Sequence, residues 1–148
     1  RQELALAGFN QWVAAAGGRL NYTLAGSAGD ADITVRFDPA TRNGLTEIRF
    51  SGGVILSAAV EVGVKDQTPG DLQCVAAHEY GHALGINGHS DDEADLMAAV
   101  HLIGSACPVT TRDLNTIKTA YCRLFGRVAR PAARQGPSQT VRIRCDGE

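Results

Sequence analysis

His78, Glu79 and His82 stand in the run His-Glu-Tyr-Gly-His, two imidazoles four residues apart with a carboxylate between them. On an α-helix that spacing is about one turn, ~6 Å along the axis, so both rings share a face and can ligate one metal ion through neutral nitrogens. Glu79 is rotated about 100° from His78, which places its carboxylate beside the ion rather than on it, the position of a general base. Zinc suits the donor set: it lowers the pKa of water toward ~7 and polarises a peptide carbonyl, while Glu79 takes the proton and passes it to the leaving amine. Two surface histidines falling four apart by accident would explain these five residues, but not the pattern just beyond them. Gly85 comes three residues after His82, and His89 four residues after Gly85. A glycine there lets the helix end in a left-handed cap and the chain reverse, bringing His89 toward the ion as a third ligand and leaving one position open. Asp91, Asp92 and Glu93 are the alternative oxygen ligands, although loop carboxylates are commonly solvated. His101 lies outside the pattern and reads as a surface or core histidine.

The elements that must position these groups are legible from periodicity. Leu6, Phe9, Val13 and Ala16 recur at helical spacing and stop at Gly17-Gly18, which predicts a first helix from Gln2 to Ala16. Extended stretches come next at Arg19 to Leu24, at Asp32 to Phe37, and from Leu45 to Phe50 and on through Val54 to Val64 beyond Gly52-Gly53. Thr68-Pro69-Gly70-Asp71 is an N-cap, a proline at the first helical position and an acid at the third, so the histidine-bearing helix starts there. A third helix opens at Thr110 with Asp113 three residues on, and Leu114, Ile117, Tyr121, Leu124 and Phe125 form its core stripe. The sequon Asn21-Tyr22-Thr23 falls in a predicted strand, and Pro131 to Pro137 is the only linker-like composition.

With 148 residues, 44% of them apolar and 20% charged, the chain fits one globular domain that buries roughly two thirds of its unfolded surface. No apolar run approaches the ~20 residues of a membrane span. A formal charge of -2 argues against a nucleic-acid partner, despite Arg123, Arg127, Arg130, Arg134, Arg142 and Arg144 against only Asp146 and Glu148 near the end. That basic stretch reads as a solvated face. Cys74, Cys107, Cys122 and Cys145 are even in number with no CxxC pair, which suits two disulfides in an oxidising compartment, and hence a secreted protein, better than a thiolate metal site. A straight third helix would hold Cys107 and Cys122 roughly 15 to 20 Å apart, beyond disulfide reach, and this leaves two of the three connectivities open. The sequence opens at Arg1 without an initiator Met, so any signal or pro-segment is expected to have been removed or not included, and secretion is inferred from the cysteines and the chemistry.

The run His78-Glu79-Tyr80-Gly81-His82-Ala83-Leu84-Gly85, resumed at His89-Ser90 and again at Asp95-Leu96-Met97, resembles the metzincin clan of zinc peptidases, and most closely its matrixin family. Weaker similarity covers the first helix, the Ala31-Asp32-Ile33 strand and Arg112-Asp113-Leu114-Asn115. The resemblance implies an α/β (α+β) catalytic domain, a twisted mixed sheet of about five strands with three helices and zinc in the cleft. It also implies His78, His82 and His89 as zinc ligands, Glu79 as base, and Met97 as an apolar floor beneath the metal. Plain core packing of Met97 is physically almost the same statement. The clan's last helix returns toward the start of its zinc helix, and on that ground the resemblance favours the pairs Cys74 with Cys122 and Cys107 with Cys145.

Three departures stand out. Ile86, Asn87 and Gly88 make the return loop one residue longer than the family's. No histidine precedes Thr68, so the extra structural zinc of vertebrate matrixins is expected to be missing; Asp38, Asn43 and Asp66 are weak candidates for calcium and equally ordinary turn residues. The clan begins with a strand ahead of its first helix, whereas this chain starts in that helix. The spare alternating segment Thr140 to Cys145 is therefore expected to fill the vacant inner place, with 1–126 as the catalytic domain and 127–148 as a basic extension adding a strand. The expected activity is that of a monomeric secreted zinc endopeptidase acting on proteins or peptides. A zinc-binding but inactive domain used for binding is the alternative, and the presence of Glu79 weighs against it. A third ligand from a distant glutamate fails because no later helix carries one, and a purely structural domain leaves the His78 to Met97 pattern unexplained. In the family the resemblance points to, the segment after Met97 walls the specificity pocket, so Ala98-Ala99-Val100 there implies a roomy apolar one.

Overall fold

The computed structural model describes residues 1–100, 104, 106–126 and 136–144. Helix α1 spans Gln2–Ala15, strand β1 Ile33–Asp38, β2 Leu45–Ser51, β3 Val54–Gly63, helix α2 Pro69–Ala83, α3 Thr111–Ala120, the single turn α4 Cys122–Phe125, and strand β4 Gln139–Arg144. The strands form one mixed sheet in the order β1-β3-β2-β4, with β1 parallel to β3 and the other two pairs antiparallel. This is the α+β architecture expected of a matrixin-like domain, built among the described residues on four strands rather than about five. Among the described residues no helix is long and apolar enough to cross a membrane.

Local chemistry accounts for most boundaries. The β2–β3 hairpin turns at Gly52 and Gly53, both at positive φ (56° and 78°), as a tight turn matched to strand twist requires. Helix α2 begins in a reciprocal capping box between Thr68 and Asp71, and α3 in the same device between Thr110 and Asp113. The third helix does not run unbroken: at Tyr121 the backbone departs to φ -115°, ψ 41°, and α4 continues in a new direction that leaves Leu124 exposed. Ile117 is fully buried, with Leu114, Tyr121 and Phe125 packed against the core.

Helix α1 buries Ala5, Phe9, Trp12 and Ala16, while Leu6 and Val13 are only half-buried. The core face is rotated toward Trp12 because its indole N–H donates to the Ala77 carbonyl of α2 at 2.7 Å, an anchor that periodicity does not reveal. Across the sheet, one face is a continuous apolar surface. Val35, Val60 and Ile143 share a row with Thr46, and Ile33, Ala58, Ile48 and Val141 share the next.

Three expectations are corrected. Arg19 to Leu24 forms no strand: only Leu20 is buried, Tyr22 packs edge-on against Phe9 at 5.1 Å, and Asn21 of the sequon is exposed outside any strand. The carboxy-terminal segment does form a strand, but at the margin beside β2 and not at an inner position, since the hydrogen-bonding edge open to it lies there. The pairing of Cys74 with Cys122 and Cys107 with Cys145 is overturned: Cys74 bonds Cys107, with Cα atoms 5.6 Å apart. The segment before α3 crosses the start of α2, where the Gly104 N–H also donates to Asp71 at 2.8 Å, so Cys107 and not the end of the last helix meets Cys74. Cys122 is an exposed free thiol, and Cys145 and His101 lie outside the described residues.

Closing a loop over a separation of 33 residues, this disulfide should contribute about 4 kcal/mol. Denaturant unfolding of Cys74→Ser is expected to show that loss, and peptide mapping of the unreduced chain should return a Cys74–Cys107 fragment; Cys74 joined to Cys122 would contradict the structure.

Candidate metal centre

His78, Glu79 and His82 are all buried in the last two turns of α2. The helix ends in a Schellman motif: Ile86 N–H bonds the Gly81 carbonyl at 3.1 Å and Gly85 N–H the His82 carbonyl at 2.7 Å, with Gly85 at φ +103°. That reversal is the one its glycine predicts. It also turns the Ile86 carbonyl back onto the helix, where it accepts from His82 Nδ1 at 2.7 Å. His78 Nδ1 is held in the same way by the Leu96 carbonyl, also at 2.7 Å. Both rings thus spend their Nδ1 proton on a backbone oxygen, and both Nε2 lone pairs are left to face each other at 3.0 Å.

His89 completes the group. Its exposed ring stacks on His78 at 5.3 Å and stands at right angles to His82 at 5.0 Å. One ring nitrogen from each of the three lies within 4.8 Å of the others, and among the described residues no other set of three His, Cys, Asp or Glu side chains converges in this way. Tetrahedral zinc with bonds of about 2.0–2.1 Å needs nitrogens roughly 3.3 Å apart, so the donors fit that ion. Burial, opposed by the hydrogen bond to Ile86, pushes the His82 imidazole down to about 4, so it is neutral and ligand-competent at physiological pH. Asp92 is engaged by Arg112 at 2.7 Å, and Asp91 and Glu93 are exposed outside the group. Of the weak calcium candidates, Asp38 accepts from Ala40 N–H at 2.8 Å and Asp66 lies 3.6 Å from Arg42.

The loop that carries His89 and returns to Met97 is fastened by two acids outside the ligand group, Asp95 and Asp113. Asp113 accepts from Leu96 N–H (3.0 Å) and Met97 N–H (3.2 Å) while capping α3 through Thr110. Asp95, 4% exposed, accepts from Ser90 Oγ and Thr110 Oγ1, each at 2.6 Å, and from Arg112 Nε at 3.1 Å. Burial alone would raise the Asp95 pKa, but the Ser90 and Thr110 hydroxyls and the Arg112 charge outweigh it and lower it. Ser90 N–H bonds the Met97 carbonyl at 2.7 Å, so the longer loop still closes beside its third histidine. Met97 is buried and its sulfur packs against Gly81, between the two helical histidines. Both acids stood in segments that carry the resemblance, Asp113 also as a helix cap, but nothing in the sequence showed that they grip this loop.

A methyl group at Gly81 would overlap Met97 Sδ and the Trp12 ring, so Gly81→Ala is expected to cost about 1 to 3 kcal/mol in denaturant unfolding. Because folding depresses the His82 pKa from 6.5, the unfolded chain takes up its proton first as pH falls. The metal-free chain should therefore lose stability between about pH 6.5 and 4, by up to ~3 kcal/mol from this group. A flat profile of unfolding free energy across that window would contradict the burial of a neutral imidazole.

The Matrixin family model matches residues 58–122, the segment from β3 to the end of α3 that contains the whole histidine group. Human matrix metalloproteinase-27 is 41% identical over 69 residues, covering 45% of this chain and 13% of that protein. Matrix metalloproteinase-27 of Tupaia belangeri is 39% identical over 75 residues, 49% of this chain and 14% of that protein. The chain thus spans about a seventh of the length of these curated relatives, and no solved structure matches it significantly. Through the segment that carries its histidine group, this chain is related to the matrixins of the metzincin clan.

Proposed function

We propose that the chain is a zinc-dependent endopeptidase whose metal is held by His78, His82 and His89 and whose general base is Glu79. The observation that carries this reading is the convergence of three ring nitrogens, two of them oriented by carbonyls on Nδ1, beside a buried glutamate of the same helix. Zinc at this site would supply Lewis acidity, lowering the pKa of water and polarising a peptide carbonyl. The residues do the rest: the Leu96 and Ile86 carbonyls fix the rings, Glu79 accepts the proton of the attacking water, and the same carboxyl returns it to the leaving amine. Met97 closes the floor and keeps water from the buried side of the histidines.

The relatives' names as metalloproteinases support peptide substrates, and the Cys74–Cys107 disulfide supports an extracellular setting. Buried Ala98 with exposed Ala99 and Val100 supports a wide, apolar specificity pocket. Residues 1–126 would form the catalytic unit of a monomer, with β4 contributed by the extension 127–148. A metal-binding domain without catalysis would have no use for Glu79, a fully buried carboxylate that is not in the ligand group.

Purified chain is expected to hold about one zinc and to digest a casein-type substrate until chelator is added. Glu79→Ala should keep the zinc while hydrolysis falls by roughly 10²–10⁴-fold. His89→Ala should lose both metal and activity; retention of both would move the third ligand to an acidic neighbour, and zinc loss in Glu79→Ala would remove the assignment of Glu79 as base.

A further inference from the structure

Strand β2 contributes more to the site than its place in the sheet. Thr46 lies on the apolar face with Val60 of β3 on one side and Ile143 of β4 on the other, and it is 0% exposed. A buried hydroxyl in such a row needs a partner, and none is offered within the sheet face. The partner is on α2: Thr46 Oγ1 stands 2.6 Å from Glu79 Oε2 and 3.1 Å from the Glu79 carbonyl oxygen. The hydroxyl has one proton to give, and the shorter contact to the stronger acceptor, a carboxylate, takes it. Two residues earlier, Gly44 presses directly on the same carboxylate; a Cβ there would overlap Glu79 Cδ and Oε1.

We infer that Thr46 is a positioning residue for Glu79, fixing the orientation of its carboxylate through Oε2. The inference rests on the reading of Glu79 as general base. Glutamate has three side-chain torsions, and β2 restricts them from two sides, by a donor at 46 and by the missing side chain at 44. A donor on one oxygen with a glycine against the other is an arrangement for one orientation of this carboxylate, beyond what filling the core requires.

Thr46→Val keeps the shape and removes the donor, and Thr46→Ser keeps the donor and removes a methyl group. In Thr46→Val, zinc content and KM should stay near wild type while kcat falls between about 10- and 100-fold, and Thr46→Ser should restore most of kcat. In the zinc-free chain, the ¹³Cδ resonance of Glu79, identified by its loss in Glu79→Gln, should move in Thr46→Val and return in Thr46→Ser. Wild-type kcat in Thr46→Val, or an equal loss in both variants, overturns the inference. Should Thr46→Val not fold, the wild-type chain decides: a slowly exchanging Thr46 hydroxyl proton coupled to Glu79 ¹³Cδ supports the inference, and a freely exchanging one overturns it. A wild-type chain with no chelator-sensitive hydrolysis removes the functional reading and this one together, whereas an active wild type, an inactive Glu79→Ala and an unaffected Thr46→Val remove this one alone.

Discussion

Two imidazoles packed side by side away from water can both be neutral, with both Nε2 lone pairs presented to one point, only while something accepts their Nδ1 protons. Leaving either unsatisfied would cost about 1–3 kcal/mol and free the ring to turn. The carbonyls of Leu96 and Ile86 meet that demand, and much of the structure serves to bring them there. Ile86 is delivered by the helix-ending turn at Gly85. Leu96 is delivered by a loop whose amides are gripped by Asp113, itself fixed as the cap of α3. The short helix after the site is therefore part of the site's support, although none of its residues belongs to the ligand group.

The degree to which this could be read from residue types depends on the range of the interaction involved. Thr68, Pro69 and Asp71 announce the start of α2, Gly85 announces its end, and His78, His82 and His89 fall together because helix pitch and one turn decide their placement. Those are local rules. The departures all involve partners distant in the chain. Arg19 to Leu24 has the alternation of a strand, but alternation says nothing about whether an edge is available to pair with. Leu6 and Val13 have the spacing of a core stripe, yet Trp12 bonding to Ala77 sets the rotation of α1. The cysteine partners turned on how the segment ahead of α3 crosses α2, for which spacing carries no signal, and the family resemblance pointed to the wrong pair.

The acids around the loop show a second division of labour. Asp95 and Asp113 are buried and accept several hydrogen bonds each, so their charges are compensated by donors from four separate positions, Ser90, Thr110, Arg112 and the Leu96–Met97 backbone. Networks of this kind are stiff because every member has a partner. Stiffness here is what permits a loop with an extra residue before His89 to bring an exposed histidine back against two buried ones. The Glu79 carboxylate is engaged by a strand, through Thr46 Oγ1 at 2.6 Å.

Strand β4 has a consequence for how copies of this chain behave toward one another. Its inner edge is paired with β2, and among the described residues its outer edge has no partner, which makes it a template for another strand. Gln139, Thr140, Arg142 and Arg144 are its exposed residues, and by strand alternation the last three share one face. Two such edges meeting antiparallel with Arg142 against Arg144 would oppose guanidinium to guanidinium, which is destabilising across a ladder, although Glu47 already offsets the Arg142 charge at 2.6 Å. Among the described residues, the margin of the sheet that carries unpaired amide and carbonyl groups is thus also the one lined with arginines, and charge on an edge strand disfavours pairing with a second copy.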